Sequence, residues 1–160
     1  MLRLKNNCMK IVERILIMVV VAGLVMQGME IGAAGVVQSV SVLCLGTLYF
    51  YGGFIIFLDI PLRLILKKES YAGSSVKRVL GSVVAGIGMS QLCMGALFIM
   101  REWPMAEMML VSGGAITVTV LVVSAVKWSK TADRFYFRAI IRTGITVTSA
   151  AIIYVLNALI

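Results

Sequence analysis

ALFIMREWPMAEMMLVSGGAITVTVLVV, residues 96–123, consists of two apolar runs joined by a short polar turn. The turn is Arg101–Pro104, and apolar residues resume directly after it. Two apolar runs separated by so few polar residues are typical of a helical hairpin that crosses a membrane twice. Pro104 fits the first turn of the second helix, where its missing N–H removes no hydrogen bond. The rest of the chain repeats this pattern.

The composition indicates that most of the chain lies in lipid. Of its 160 residues, 61% are hydrophobic, and the mean hydropathy is +1.02. Charged residues make up 14%, compared with about 25% in a typical soluble domain. A soluble domain of this size could not bury so much apolar surface, so the bilayer must solvate it.

Five apolar runs are long enough to cross about 30 Å of hydrocarbon. The sequence therefore predicts an all-α membrane protein in one domain, with five transmembrane helices arranged as two helical hairpins and a C-terminal helix. The predicted spans cover about residues 12–29, 35–58, 76–100, 105–126 and 139–160. A surface amphipathic helix is predicted over about 60–69, where leucines alternate with basic residues after a capped first turn at Asp59 and Pro61.

The N-terminal segment has two interpretations. Its four basic residues and the apolar run after them resemble a signal peptide, with a loosely compatible cleavage site at 33–35. We favour an uncleaved first span, because the run continues after only a few residues into a second apolar segment, as a hairpin would.

The distribution of basic residues predicts the orientation. With five spans, fourteen of the fifteen Lys and Arg residues lie on one side of the membrane, and only Arg101 lies on the other. The positive-inside rule then places the N-terminus in the cytoplasm and the C-terminus outside. The net charge of +8 is explained by this topology and by anionic lipid headgroups, so we expect no nucleic-acid partner.

Catalytic and metal-binding patterns are missing from the sequence. The chain has no histidine, and its three cysteines lack the spacing of metal ligands. We found no nucleophile–base pair, phosphate loop or carboxylate pair, and ionisable groups within the predicted spans are rare. We therefore expect no enzyme activity, no cofactor and no metal.

Small residues on the predicted helices indicate close helix packing. Ser82, Gly86 and Ser90 recur at intervals of four and form one face. Further helix-packing candidates are Gly113, Gly114, Gly144 and Thr148. Such faces predict contacts within the bundle, with a second copy in a homo-oligomer, or with a membrane-protein partner.

Three groups of polar residues have alternative interpretations. The first group consists of acidic residues near the outer ends of the helices, Glu30, Glu102 and Glu107. They either gather cations at the mouth of a path through the bundle or are solvated turn residues. The second group contains the polar side chains expected to be most buried, Gln27, Gln38 and Gln91. They either line a polar path or form hydrogen bonds between helices, and we favour the hydrogen bonds. The third group is a basic stripe formed by Arg134, Arg138 and Arg142. It either binds lipid phosphates or a partner's acidic segment, or it only sets the orientation of the chain in the membrane.

The polar turn at Arg101–Pro104 belongs to an internal repeat, and its hairpin resembles that of a known protein family. Residues 24–33, LVMQGMEIGA, align without gaps with residues 97–106, LFIMREWPMA. Over about residues 96–123 the second hairpin resembles that of the gliding-motility L protein (GldL), through Ala96-Leu97-Phe98, Trp103-Pro104, Ala106 and Glu107-Met108. The resemblance implies a hairpin fold and a bacterial inner-membrane location.

Departures from the family pattern limit this implication. The family's first helix has a lysine where this chain has Ile99, and its second helix has a buried glutamate near the position of Ile116. Its glycine after the proline is Met105 here. This family belongs to type IX secretion and gliding motors. The groups expected to handle protons in such a motor are missing here, so the resemblance does not imply motor activity.

Three functions compete at this point. The first is a non-enzymatic membrane subunit or scaffold that packs through small-residue faces. The second is a small transporter or channel built on the repeated hairpin. The third, an enzyme acting on lipids, is the weakest because the sequence offers no catalytic constellation.

Overall fold

The computed structural model describes residues 8–29, 31–58, 60 and 74–159, and these form five α-helices and no strand. The helices are α1 (Cys8–Gly28), α2 (Ala34–Leu58), α3 (Val76–Met100), α4 (Ala106–Thr131) and α5 (Arg134–Leu159). The prediction of an all-α fold is confirmed. Four helices, α2 to α5, are long and apolar enough to cross a membrane. The chain is thus a multi-pass membrane protein. Residues 61–69 of the predicted surface helix lie outside the described residues, as does Glu30.

The central helix of the bundle is α3, which packs against α2, α4 and α5. α1 packs against α2 and α3 packs against α4, so each predicted hairpin has its two helices side by side, while α5 packs against both helices of the second hairpin. The core where these helices meet consists of Leu45, Tyr49, Ile56, Phe57, Ala85, Met89 and Ala139. We call the end where α3 begins, α4 ends and α5 begins the basic end, because Lys77, Arg78, Lys127, Lys130, Arg134 and Arg138 lie there.

Glycines allow α3 to approach its neighbours closely. A Cβ on Gly86 would lie 2.6 Å from the Tyr49 carbonyl oxygen and 3.2 Å from the Gly53 Cα, both in α2. On the α4 side, a Cβ on Gly113 would lie 2.8 Å from the Leu92 nitrogen. Ser82 and Ser90 are also buried within the chain. Small residues of α3 and α4 are therefore used for packing between helices of the same chain.

The other small residues predicted for packing lie in less crowded places. A Cβ on Gly144 would reach only Leu121, at 3.8 Å. A Cβ on Gly114 would meet no described atom within 4 Å. Thr148 is exposed, and its hydroxyl donates to the Gly144 carbonyl in its own helix.

The turn between α3 and α4 is tied to the first hairpin by Arg101. Its Nη2 donates to the Gly35 carbonyl, and its Nε donates to the Ser39 hydroxyl at 3.0 Å, so both partners lie in the first turns of α2. A side chain on Gly35 would collide with this guanidinium, 2.7 Å from the Cβ position. Trp103 packs edge-on against Phe98 within the turn, with ring centroids 5.1 Å apart. Arg101 therefore joins the two hairpins at the end opposite the basic end.

Candidate functional site

A buried group of charged and polar side chains joins the first, second and last helices. An Arg142 Nη1 donates to Glu13 Oε1 at 2.9 Å, and the Tyr49 hydroxyl donates to the same oxygen at 3.1 Å. Glu13 is only 5% exposed. The Arg142 guanidinium carbon also lies 5.7 Å from the centre of the Phe57 ring. We call Glu13, Tyr49 and Arg142 the charge cluster.

The charge cluster lies well inside the helices. Arg142 comes eight residues after Arg134, the start of α5, which corresponds to about 12 Å along the helix axis. Tyr49 comes nine residues before Leu58, the end of α2, or about 14 Å. The cluster therefore sits about one third of the way along these helices from the basic end.

Burial explains why these three residue types occur together. Moving an isolated carboxylate from water into a low-dielectric interior costs several kcal/mol, even after the protein relaxes. Here the Arg142 charge and the Tyr49 hydroxyl both compensate Glu13, while Phe57 offers its ring face to the cation. An ionisable pair within a membrane bundle is a default pointer to function. The charge cluster also holds α1 next to α2 and α5.

A cavity of about 190 Å³ borders the charge cluster through Tyr49 and opens to the bundle surface, where its lining residues Val21 and Ile145 are 53% and 61% exposed. Tyr49 lines it, together with aliphatic side chains from α1, α2, α3 and α5 such as Leu24, Val42 and Ile153. Thr146 is one of its few polar residues, and its hydroxyl already donates to the Arg142 carbonyl. The cavity is thus mainly apolar, with the charge cluster as its most polar neighbour.

Sequence reasoning missed the charge cluster. The first predicted span starts at about residue 12, so Glu13 falls at its end, and Arg142 belongs to the predicted basic stripe. The structure buries Glu13 and turns Arg142 inward, whereas Arg134 and Arg138 are exposed. A signal was available, because a carboxylate and a guanidinium fall within the first and fifth predicted spans, and buried opposite charges are expected to pair.

The other predicted polar residues are dispersed. Glu102 and Glu107 line a surface cavity of about 610 Å³ at the end opposite the basic end. Gln38 is buried, and its Nε2 donates to the Met100 sulfur at 3.6 Å, which agrees with hydrogen bonding between helices. Gln91 has a buried Oε1 without a hydrogen-bond partner among the described residues, and Gln27 is exposed. Among the described residues, no hydrogen bond joins one of these glutamines to another.

A second ion pair, Arg78 with Asp133, lies at the basic end. Asp133 precedes α5, and its Oδ1 accepts a hydrogen bond from the Phe135 N–H at 2.9 Å. This hydrogen bond and the charge of Arg78 hold the pKa of Asp133 below its usual value. Arg78 pairs with Asp133 and lies 5.5 Å from the ring centre of Phe135. The pair fastens the start of α3 to the start of α5.

Comparison with known proteins gives no further information about this site. Among the described residues, no group of three or more His, Cys, Asp or Glu could hold a metal ion. No family model, no curated protein and no solved structure matches the chain, so its function has to be argued from its own residues.

Proposed function

We propose that the chain is a five-span protein of the bacterial inner membrane, with a cytoplasmic N-terminus and an external C-terminus. The charge cluster supports α1 as a span in addition to the four apolar helices. Glu13 of α1 contacts Tyr49 of α2 and Arg142 of α5, so α1 lies beside two of those helices. Five spans also leave Arg101 as the one basic residue outside. If α1 did not cross the membrane, the four N-terminal basic residues would lie on the same side as Arg101, and the asymmetry of basic residues would be weaker.

Compartment-specific reporters test this topology. Alkaline phosphatase, which is active only outside the cytoplasm, should be active when fused to the C-terminus and inactive when fused to the N-terminus. A cytoplasmically fluorescent protein should give the opposite pattern. The same compartment for both ends would contradict an odd number of spans and remove the orientation based on basic residues.

Within this topology, we propose a non-enzymatic membrane subunit or scaffold that pairs with a second copy of itself. The charge cluster carries this proposal, because it joins the first helix to the last and its three side chains are already paired with one another. The small faces of α3 are used inside the bundle. One small-residue surface left open is the outer face of α4, where Val111, Val118 and Val122 are exposed around the open position at Gly114.

Disulfide crosslinking in the membrane tests the α4 face. In a background with the three native cysteines replaced, Val118→Cys should form a crosslinked dimer on oxidation, because a symmetric pair brings the two copies of this residue together. Met18→Cys is the control, since Met18 is similarly exposed in the middle of α1. Equal crosslinking at both positions would indicate random collision and contradict pairing through α4.

The second candidate is a small transporter, favoured by one observation. The charge cluster borders the cavity of about 190 Å³ through Tyr49, whose hydroxyl contacts Glu13, so the cluster adjoins a space between the helices. Paired ionisable groups beside an internal cavity are common on transport paths through membrane proteins. Ion-flux measurements in proteoliposomes separate the two candidates.

A further inference from the structure

A cavity at the basic end has an apolar interior and a cationic mouth. It lies between α3, α4 and α5, has a volume of about 390 Å³, and is within the range of about 300–1,000 Å³ for small-molecule sites. Phe57 and Ala85 line its inner part, with Val120 and Ala139 on the facing helices. We call it the lateral cavity.

The lateral cavity opens sideways, towards the lipid. Leu80 and Val123 both line it, and they are 63% and 51% exposed, so one wall belongs to the outer surface of the bundle. Because α3, α4 and α5 are all apolar enough to span the bilayer, that surface faces hydrocarbon. Only an apolar chain could enter from this side.

The mouth of the lateral cavity is positively charged. Lys77 and Lys127 line it, together with Arg78 and the Tyr136 ring. Asp133 pairs with Arg78, whereas neither lysine has a carboxylate partner among the described residues. The Lys127 ammonium lies 6.0 Å from the centre of the Tyr136 ring. Two lysines thus flank the entrance at the end of the helices, where headgroups lie.

We propose that the lateral cavity binds one anionic phospholipid. One acyl chain fills the apolar interior, and the Lys77 and Lys127 ammonium groups contact the lipid phosphate and its anionic headgroup. A free phosphate would gain nothing from the apolar walls. An apolar helix of a second copy would match the walls but not the cationic mouth formed by Lys77 and Lys127. An anionic lipid matches both parts of the cavity.

This proposal is independent of the pairing of two copies and of the number of spans, because α3, α4 and α5 all belong to the four apolar helices. The test is native mass spectrometry of the full chain, purified in detergent and titrated with phosphatidylglycerol or phosphatidylcholine. We expect one retained phosphatidylglycerol per chain, with at least fivefold lower occupancy by phosphatidylcholine of the same acyl chains. Equal occupancy by the two lipids would overturn the proposal.

Substitutions separate the headgroup contact from the acyl-chain contact. The double variant Lys77→Gln/Lys127→Gln should weaken phosphatidylglycerol binding about tenfold or more, since each lysine near an anionic headgroup contributes favourably. Lys130→Gln, an exposed basic residue outside the lining, is the matched control and should leave binding unchanged. An equal loss in Lys130→Gln and the double variant would mean that only overall charge matters, and it would overturn the site.

Blocking the cavity tests the acyl chain. Val123→Trp should abolish retained lipid without unfolding the protein, because Val123 lies half-exposed on the outer wall. Leu80→Trp, at an even more exposed lining residue, provides a second blocking variant if the first lowers the melting temperature. Undiminished phosphatidylglycerol binding in a folded blocking variant, or displacement of the lipid by millimolar inorganic phosphate, would show a surface anion site and contradict the proposal.

Discussion

Arg142→Met should lower the unfolding free energy of the detergent-solubilised chain by about 3–5 kcal/mol. The substitution leaves Glu13 buried at 5% exposure, with the Tyr49 hydroxyl as its one remaining hydrogen-bond partner among the described residues. An uncompensated buried carboxylate must either bind a proton or open the bundle to water, and both are costly. Denaturant or thermal unfolding followed by circular dichroism measures the effect.

A double-mutant cycle shows that the loss comes from the pair. Glu13→Leu alone should also destabilise the chain, because it leaves the Arg142 guanidinium without its carboxylate. Glu13→Leu/Arg142→Met should recover most of the stability, since replacing both members of a buried pair with apolar residues is often neutral or stabilising. Arg134→Met is the control, as Arg134 is exposed at the start of the same helix. Additive losses in the double variant would contradict a direct interaction.

The same double variant separates a scaffold from a transporter. If the charge cluster only joins helices, proteoliposomes containing the wild type and the double variant should have equal permeability to protons and small cations. Crosslinking through Val118→Cys should also persist in the double variant. Ion flux that is present in the wild type and lost in a stably folded double variant would reject the scaffold in favour of the transporter.

Helix positions could be predicted from the sequence because they depend on local properties. The run at 76–100 coincides with α3, because Ser74 and Ser75 precede it and Arg101 and Glu102 follow it. Helix α4 continues past the predicted span 105–126 to Thr131, and α5 begins at Arg134, before the predicted span 139–160. Hydropathy detects only the apolar part of a helix, whereas the backbone stays helical until a residue stops it. Here Ala132, with a positive φ of 49°, ends α4.

The charge cluster could not be deduced in the same way, because it depends on which helices become neighbours. Glu13 and Arg142 are separated by 129 positions, and their contact requires α5 to lie beside the start of α1. Arg101 shows the same limit. Its contacts with Gly35 and Ser39 depend on how one hairpin lies against the other, which hydropathy does not reveal. In a membrane, rare polar groups are informative because each buried group needs a partner.

Gly86→Ala should destabilise the chain by about 1–3 kcal/mol, the usual cost of an added methyl group in a packed interior. The new Cβ would lie 2.6 Å from the Tyr49 carbonyl oxygen, which belongs to the α2 backbone and cannot rotate away. Helices α2 and α3 would have to separate, and the Tyr49 hydroxyl would shift relative to Glu13. Gly53→Ala should act similarly, because its Cβ would lie 2.7 Å from the Gly86 Cα.

Gly81→Ala is the matched control, because it adds the same methyl group to α3 at a position where no described atom lies within 4 Å. Alanine also favours the helix over glycine, so this variant should melt at or slightly above the wild-type temperature. Equal melting temperatures for Gly81→Ala and Gly86→Ala would contradict the close crossing of α2 and α3. If Gly86 instead faced a second copy, Gly86→Ala would reduce the Val118→Cys crosslink and leave the melting temperature unchanged. A lower melting temperature with the crosslink retained is the result expected when Gly86 packs within the chain and α4 forms the outer contact.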